Sequence, residues 1–331
     1  MSSRERATSH GLRVGAACAA ALCAGCDGPQ SAFTVFGAEA ASVRLLSIVM
    51  FSVAAAITAG VLALAFHAAR APRGRLSLRG GMAVVLWLGG IVPTVVLAAL
   101  LAFSLPIMRA RTAVPPELTI DVTGEQFWWR VRYPVAEHGD AFVETANEIR
   151  VPVGRTIAFR LSSPDVIHSF WIPGLAGKMD MIPGRTNVLV VRATRAGTFR
   201  GACAEFCGLS HAHMAFDVVA MESAAFDRWL AAAAEPAAPT EHPGRLLFAS
   251  YGCAACHAVR GHFESPAIGP ELTHFARKTR FAAGTLPLEQ ALVARFIVRS
   301  SALKPGSRMP AFADMPDDDA AALAAYLLAL R

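Results

Sequence analysis

Cys203-Ala-Glu205-Phe-Cys207-Gly-Leu-Ser-His211-Ala-His213-Met214 brings two thiols, imidazoles and a thioether into one short stretch. Thiolates and imidazoles suit soft or borderline metals, and a thioether beside them favours copper over zinc. Cys203 and Cys207, both on one loop, could bridge a pair of copper ions, with His211 ending the loop and Met214 as a distant ligand. A zinc site and a Cys203–Cys207 disulfide are the alternatives. A second imidazole has to come from elsewhere. His168, in Asp165-Val-Ile-His168-Ser-Phe-Trp-Ile-Pro173, is the candidate, because the loops of a sandwich gather at its ends. His213 alternates with the ligand positions and reads as a neighbour.

Around this loop the chain is rich in β-forming residues. Leu118–Val122, Gln126–Tyr133, Arg155–Leu161, Thr186–Arg192 and Met214–Ala220 are short runs separated by turns such as Val153-Gly154 and Pro183-Gly184. Their spacing predicts an antiparallel sandwich over 112–230. Residues 231–243 are dominated by Ala and Pro without a packing period and read as a flexible linker. Such a linker has a reach of roughly 20 Å, so a domain beyond it would search for the copper edge at an effective concentration of order millimolar. Residues 244–331 read as helical, and Asp317, Asp318 and Asp319 open the last helix where its dipole favours acids.

The N-terminal third is of another kind. The 331-residue chain is 54% hydrophobic and only 17% charged, and its mean hydropathy is +0.42, too apolar for an ordinary soluble protein. The excess lies in two stretches, about 43–67 and 82–106, each beyond the roughly 20 residues needed to span hydrocarbon. They predict a two-helix transmembrane hairpin within 26–111. Arg70, Arg73, Arg75 and Arg79 lie between them without an acid, which puts that loop in the cytoplasm and both flanks outside. Arg4, Arg6 and Arg13 before a short apolar run resemble a signal peptide over 1–25. It ends in Leu22-Cys23-Ala24-Gly25-Cys26, similar to a lipobox, which makes Cys26 the expected lipidation site. Of seven cysteines, Cys18 and Cys23 would leave with the leader, two pairs serve metal motifs, and Cys26 is left over.

The second pair belongs to Cys253-Ala-Ala-Cys256-His257, a CxxCH box. Two thiols at this spacing add across haem vinyl groups while the next residue coordinates iron. A thioredoxin-like CxxC is the rival, and no βαβ alternation surrounds it.

The copper-type loop resembles the dinuclear copper (CuA) loop of cytochrome c oxidase subunit II. Asp165–His168 and Lys178-Met-Asp-Met-Ile-Pro-Gly-Arg185 resemble that family's upstream histidine segment, and Gly124-Glu-Gln-Phe127-Trp128-Trp129 its aromatic motif. The resemblance implies a cupredoxin-like fold in which His168, Cys203, Cys207, His211, Met214 and the Glu205 carbonyl bind two coppers. It also implies that the Glu205 side chain faces a Mg2+ ion shared with subunit I. Met309, in Ser307-Arg-Met309-Pro-Ala-Phe312, matches the Met-Pro loop of class I cytochromes c, with Met315 as the runner-up for the sixth iron ligand. Gly269-Pro270-Glu-Leu-Thr resembles the segment whose Pro carbonyl accepts the haem-ligating histidine's ring proton. A subunit II fused to cytochrome c is the caa3-type arrangement.

The chain departs from the family at two places. Phe127 stands where the aromatic motif usually opens with Trp, which bears on how Phe127, Trp128 and Trp129 take part in electron transfer. Met82–Pro93 holds no acid where the second helix often carries a proton-admitting Glu.

The expected whole is a multidomain membrane protein: transmembrane hairpin, β-sandwich CuA domain, linker and all-α class I cytochrome c domain. Its expected place is the bacterial inner membrane, with the copper and haem domains on the periplasmic side. The expected partners are oxidase subunits I and III, membrane lipid, and a cytochrome c or cytochrome bc1-type donor. The alternative is a membrane-tethered electron carrier serving another reductase. Nitrous oxide reductase, which shares the copper loop, would need a histidine-rich catalytic domain that this sequence does not contain. The net charge of +6 largely reflects loop and leader arginines, and no motif supports nucleic-acid binding.

Overall fold

Apolar residues on every face build the first long element of the computed structural model, α1 (Ala38–Arg70). The structure describes residues 28–72, 77–108, 115–135, 142–264 and 268–331. The expected leader and the Cys26 lipidation site lie outside the described residues. α1 starts earlier than the apolar stretch because good helix formers precede it, with Glu39 in the first turn. Arg44 is the only full charge inside the expected 43–67 span. The 33 residues of α1 give a length of about 50 Å at 1.5 Å per residue, against a hydrocarbon core of roughly 30 Å.

The second apolar element begins as α2 (Leu78–Val84), where the Ser77 side chain accepts the Gly80 N–H at 3.1 Å. It widens into a π-helical stretch, Val85–Ile91, and resumes as α3 (Val92–Met108). Pro93 accounts for the interruption. It has no N–H, and its ring crowds the carbonyl one turn earlier, so the ladder loosens and Val92 N–H reaches back to Trp87 O. Phe51, Leu62, Val85 and Leu97 are exposed on these helices, and both elements are long and apolar enough to cross a bilayer.

The other unit of the chain holds a β-sandwich and a helical domain. Its sandwich is built from β1 (Leu118–Glu125), β2 (Trp128–Pro134), β3 (Phe142–Ala146), β4 (Glu148–Pro152), β5 (Ile157–Ser162), β6 (His168–Trp171), β7 (Met179–Met181), β8 (Asn187–Val191), β9 (Gly197–Cys203) and β10 (Ala215–Met221). Two five-stranded sheets have the orders β3-β2-β1-β5-β8 and β4-β10-β9-β6-β7. The sheets are mixed rather than antiparallel, since β1 pairs with β5 and β4 with β10 in parallel. Five of these strands escape the sequence pattern. β6 and β7 are too short to show alternation, and β9 carries Gly197 and Gly201. Gly201 is required by packing: a Cβ there would lie 2.1 Å from the Phe216 ring.

Trp129, Phe170 and Phe216 form the centre of the sandwich core, with Phe170 and Phe216 stacked at 4.9 Å and Trp129 edge-on to both. The core also takes in residues outside 112–230. Phe36 is fully buried and stacked on Phe199, its N–H donates to Gly174 O at 2.8 Å, and Gly37 bridges Ala193.

Residues 231–243 do not form the expected flexible linker. α4 (Ser223–Ala234) continues through the first of them, because the alanines that carry no packing period are strong helix formers. Ala237 is then buried, its N–H donates to Arg260 O at 2.9 Å, and Arg260 donates back to the carbonyls of Ala233 and Ala234. The chain lies against the next domain instead of tethering it.

That domain contains α5 (Pro243–Ser250), α6 (Gln290–Val298), α7 (Ser300–Leu303) and α8 (Asp317–Ala329). A small hairpin, β11 (Arg280–Phe281) and β12 (Leu286–Pro287), interrupts the helices. Its core contains Phe248, Val293, Leu323, Tyr326 and Met315. Gly244 lets α5 cross α8 closely, since a Cβ there would meet Ala322 O at 2.3 Å.

Candidate metal centre

The copper-type loop lies between the ends of β9 and β10, and β6 brings His168 to it: Phe170 pairs with Cys203 across the sheet. The Sγ atoms of Cys203 and Cys207 are 3.8 Å apart, and both thiols are free. Cys203 Sγ lies 3.8 Å from His168 Nδ1 and 3.2 Å from the Glu205 carbonyl oxygen. Cys207 Sγ lies 3.7 Å from His211 Nδ1 and 3.8 Å from Met214 Sδ. All six expected copper donors therefore converge, and His168, Cys203, Cys207 and Met214 are buried. His213 stays outside the set, as a neighbour in the short turn His211–His213.

The donor chemistry fits a copper pair. Each thiol has its own imidazole, both thiols are close enough to be shared, and the thioether disfavours zinc. A hydrogen bond from Cys207 holds the Cys203 thiol well below its ordinary range, and His168 and the main chain add to this against the cost of burial. Cys207 is pushed up by the same contact. A metal replaces the shared proton, which favours both thiolates.

Asp165 orients His168. Its Oδ1 is 2.9 Å from His168 Nε2 and accepts Val166 N–H at 2.7 Å, and its Oδ2 accepts Gln126 N–H at 2.8 Å. Burial opposes its charge, but these partners outweigh it and hold the carboxyl below its usual range. Gly124 leaves the space for the imidazole, since a Cβ there would sit 3.1 Å from the ring. Asp165→Asn should weaken copper binding about 10–100-fold, the usual effect of losing a partner that orients a metal-ligating histidine. Copper titration of the purified protein checks this.

The Glu205 carboxylate is half-exposed and 4.0 Å from Lys178 Nζ, which is also 4.0 Å from Asp180 Oδ1. On this chain alone that acid has an ammonium as its neighbour.

The CxxCH box turns tightly after Gly252, which has φ +72°, and His257 N–H donates to Cys253 O at 3.0 Å. Cys253, Cys256, His257, Pro270 and Met309 line a cavity of about 280 Å3. His257 Nδ1–H donates to Pro270 O at 2.7 Å, which fixes the tautomer and leaves the Nε2 lone pair free to bind a metal. Burial keeps this imidazole below its ordinary pKa, against the effect of the Pro270 bond. Gly269 permits the approach, because a Cβ there would be 2.7 Å from the ring. Met309 is held by Ser300 Oγ, which donates to its carbonyl at 2.8 Å. Met315 is a buried core residue. Paired thiols, a neutral imidazole, a thioether and an apolar wall fit a covalently attached haem c.

The aromatic motif divides between two places. Trp129 is in the sandwich core, 6.3 Å from the His168 ring, with no surface for a partner. Phe127 and Trp128 line the haem-type cavity. Sequence reasoning missed Asp165, Gln126 and Lys304 here. Gln126 Nε2 donates to Cys207 O at 2.6 Å, and the only signal for it was its place beside the aromatic motif.

Comparison with known proteins agrees with this geometry. The family "Cytochrome C oxidase subunit II, periplasmic domain" matches residues 134–221, and the cytochrome c family matches residues 242–331. Cytochrome c oxidase subunit 2 of Alkalihalophilus pseudofirmus is 40% identical over 64% of this chain, which spans 61% of that relative's length. The subunit 2 of Bacillus sp. strain PS3 is 31% identical over 75% of this chain and 72% of its own. A crystal structure of the periplasmic domain of subunit II of cytochrome oxidase from Bradyrhizobium japonicum is 33% identical, covering 36% of this chain and 95% of that one, with a TM-score of 0.34. With relatives 30% and 31% identical of which it covers 70% and 72%, the chain belongs to the cytochrome c oxidase subunit 2 family.

Proposed function

We propose that this chain is the electron-accepting subunit of a bacterial haem-copper cytochrome c oxidase, held in the inner membrane by α1 and by the α2–α3 element. His257, Met309, Cys253 and Cys256 hold haem c. His168, Cys203, Glu205, Cys207, His211 and Met214 hold the copper pair. When bound, these groups carry single electrons from a cytochrome c or cytochrome bc1-type donor toward subunit I, where oxygen is reduced to water with proton pumping. Subunit III completes the assembly. Glu205 and Asp180, drawn together by Lys178, are the acids available to a Mg2+ ion completed by subunit I.

The observation that carries this reading is the placement of Phe127, which lines the haem-type cavity and also packs against Gly208, next to Cys207. Two sites that share a wall residue suit transfer within one chain. Deleting residues 244–331 should leave the copper pair bound and oxygen reduction by small artificial donors intact. Oxidation of soluble cytochrome c by the truncated complex should fall at least about tenfold, since the first acceptor, held against the copper domain through contacts such as Lys304 to Phe127 O, is lost. An undiminished rate would remove the haem domain from the main path.

A further inference from the structure

Lys304 is a buried cation that the copper and haem donor sets leave unused. It is 5% exposed, and its Nζ donates to Phe127 O at 2.6 Å and to Ala282 O at 3.1 Å. The first carbonyl belongs to the copper domain and the second to the haem domain. Burial pushes the ammonium down to about 7, and negative charge on a Cys207 thiolate acts in the opposite sense. A buried ammonium paired with main-chain carbonyls is costly, so stability alone does not account for it.

The seam around it is built to one register. The turn Ala282-Ala283-Gly284 has φ values of +50°, +58° and +67°. Alanine rarely adopts this region, and such outliers persist only where surrounding structure enforces them. Here each carbonyl of the turn has a partner. Ala282 O accepts Lys304, Ala283 O accepts Ala215 N–H at 3.1 Å, and Gly284 O accepts Arg200 at 2.8 Å. Ser210 Oγ donates to Pro305 O at 2.6 Å, and Lys278 Nζ donates to Ala146 O at 2.6 Å. The Phe127 ring is caught between two glycines, one on each domain. A Cβ at Gly208 would be 3.1 Å from it and one at Gly306 3.0 Å.

We propose that Lys304 is a positioning residue for electron transfer: by holding the Phe127 carbonyl it fixes the haem-bearing domain on the copper loop, with the Phe127 ring as the shared contact. The inference rests on the relay reading above. The step it serves moves one electron and no atoms. With haem c held by His257 and Met309 and the copper pair held by the Cys203–Met214 loop and His168, one electron would leave ferrous iron and enter the copper pair, with no bond broken and no proton moved.

The test uses the complete oxidase complex with Lys304→Met, which keeps an unbranched side chain without the ammonium. After flash photoreduction of haem c, its reoxidation and the near-infrared absorbance of the copper pair are followed in buffers of increasing viscosity. The parent should transfer quickly and independently of viscosity. Lys304→Met should transfer at least tenfold more slowly and with a rate that falls as viscosity rises, because a released domain has to diffuse back. A parental rate in the variant, or a slowed rate indifferent to viscosity, overturns the proposal. If the variant loses its haem or copper absorbance, Phe127→Leu decides, since its main-chain carbonyl still accepts Lys304. A several-fold slower transfer there supports the role of the ring, and an unchanged one overturns it. A parent without haem-to-copper transfer would overturn the relay reading and this inference together, whereas a fast parent with indifferent variants overturns only the inference.

Discussion

Cys207→Ser should abolish the dinuclear copper centre and bring oxygen consumption driven by cytochrome c close to zero. The serine hydroxyl is a hard donor that stays protonated at neutral pH, and it cannot bridge soft copper as a thiolate does. Cys207 is in contact with Cys203, His211 and Met214, so its loss disrupts most of the donor set at once. The fall in activity should exceed about 100-fold, beyond the 10–100-fold typical of removing a partner that only orients a ligand. Metal analysis should find fewer than two coppers, and the electron paramagnetic resonance spectrum should lose its mixed-valence pattern. Haem c absorbance should remain, because His257 and its partners belong to the other core.

The second large effect separates two methionines that sequence alone leaves in competition. Met309 lines the cavity that holds His257, and its carbonyl is pinned by Ser300. Met309→Ala should therefore open the sixth position of the iron and convert a low-spin spectrum into a high-spin or substituted one. Met315 is 6% exposed within the helical core. Met315→Ala should leave the spectrum unchanged and lower stability by about 2–5 kcal/mol, as cavity-forming substitutions of a buried Met do. Visible spectra paired with denaturant unfolding distinguish the two, and the reverse assignment would follow if Met315→Ala alone altered the haem bands.

The candidate donors that converge in the structure stood out for a physical reason: chelation by one loop imposes short spacings, and short spacings survive in a linear sequence. Cys203, Cys207, His211 and Met214 show this, as do Cys253, Cys256 and His257. His168 was harder, being supplied by a different strand, and it was reached only through the rule that the loops of a sandwich gather at its ends, with the resemblance of its segment to a known family in support. Lys304 was not legible, since its partners are main-chain carbonyls at Phe127 and Ala282, and a carbonyl leaves no trace in the pattern of side chains. The same blindness turned residues 231–243 into a linker. Alanine runs without charge or period look structureless, yet they build the end of α4 and bury Ala237 against the haem domain. The membrane elements were legible in length but not in detail, where Pro93 converts the middle of the second one to a π-helix.

A docked haem domain changes how Phe127 is understood. In the sequence it stood out as a departure from the Trp that usually opens the aromatic motif. In the structure it is 5% exposed and covered by the chain's own haem domain, so a large ring without an indole N–H suffices for an internal contact.

Stopped-flow mixing of the oxidised complex with reduced soluble cytochrome c, read at the haem c bands and at the near-infrared band of the copper pair, gives the order in which the two centres fill. Haem c should become reduced first, and copper reduction should follow at the rate of haem reoxidation. Copper reduced ahead of haem c, or at full speed while haem c stays oxidised, would contradict that order.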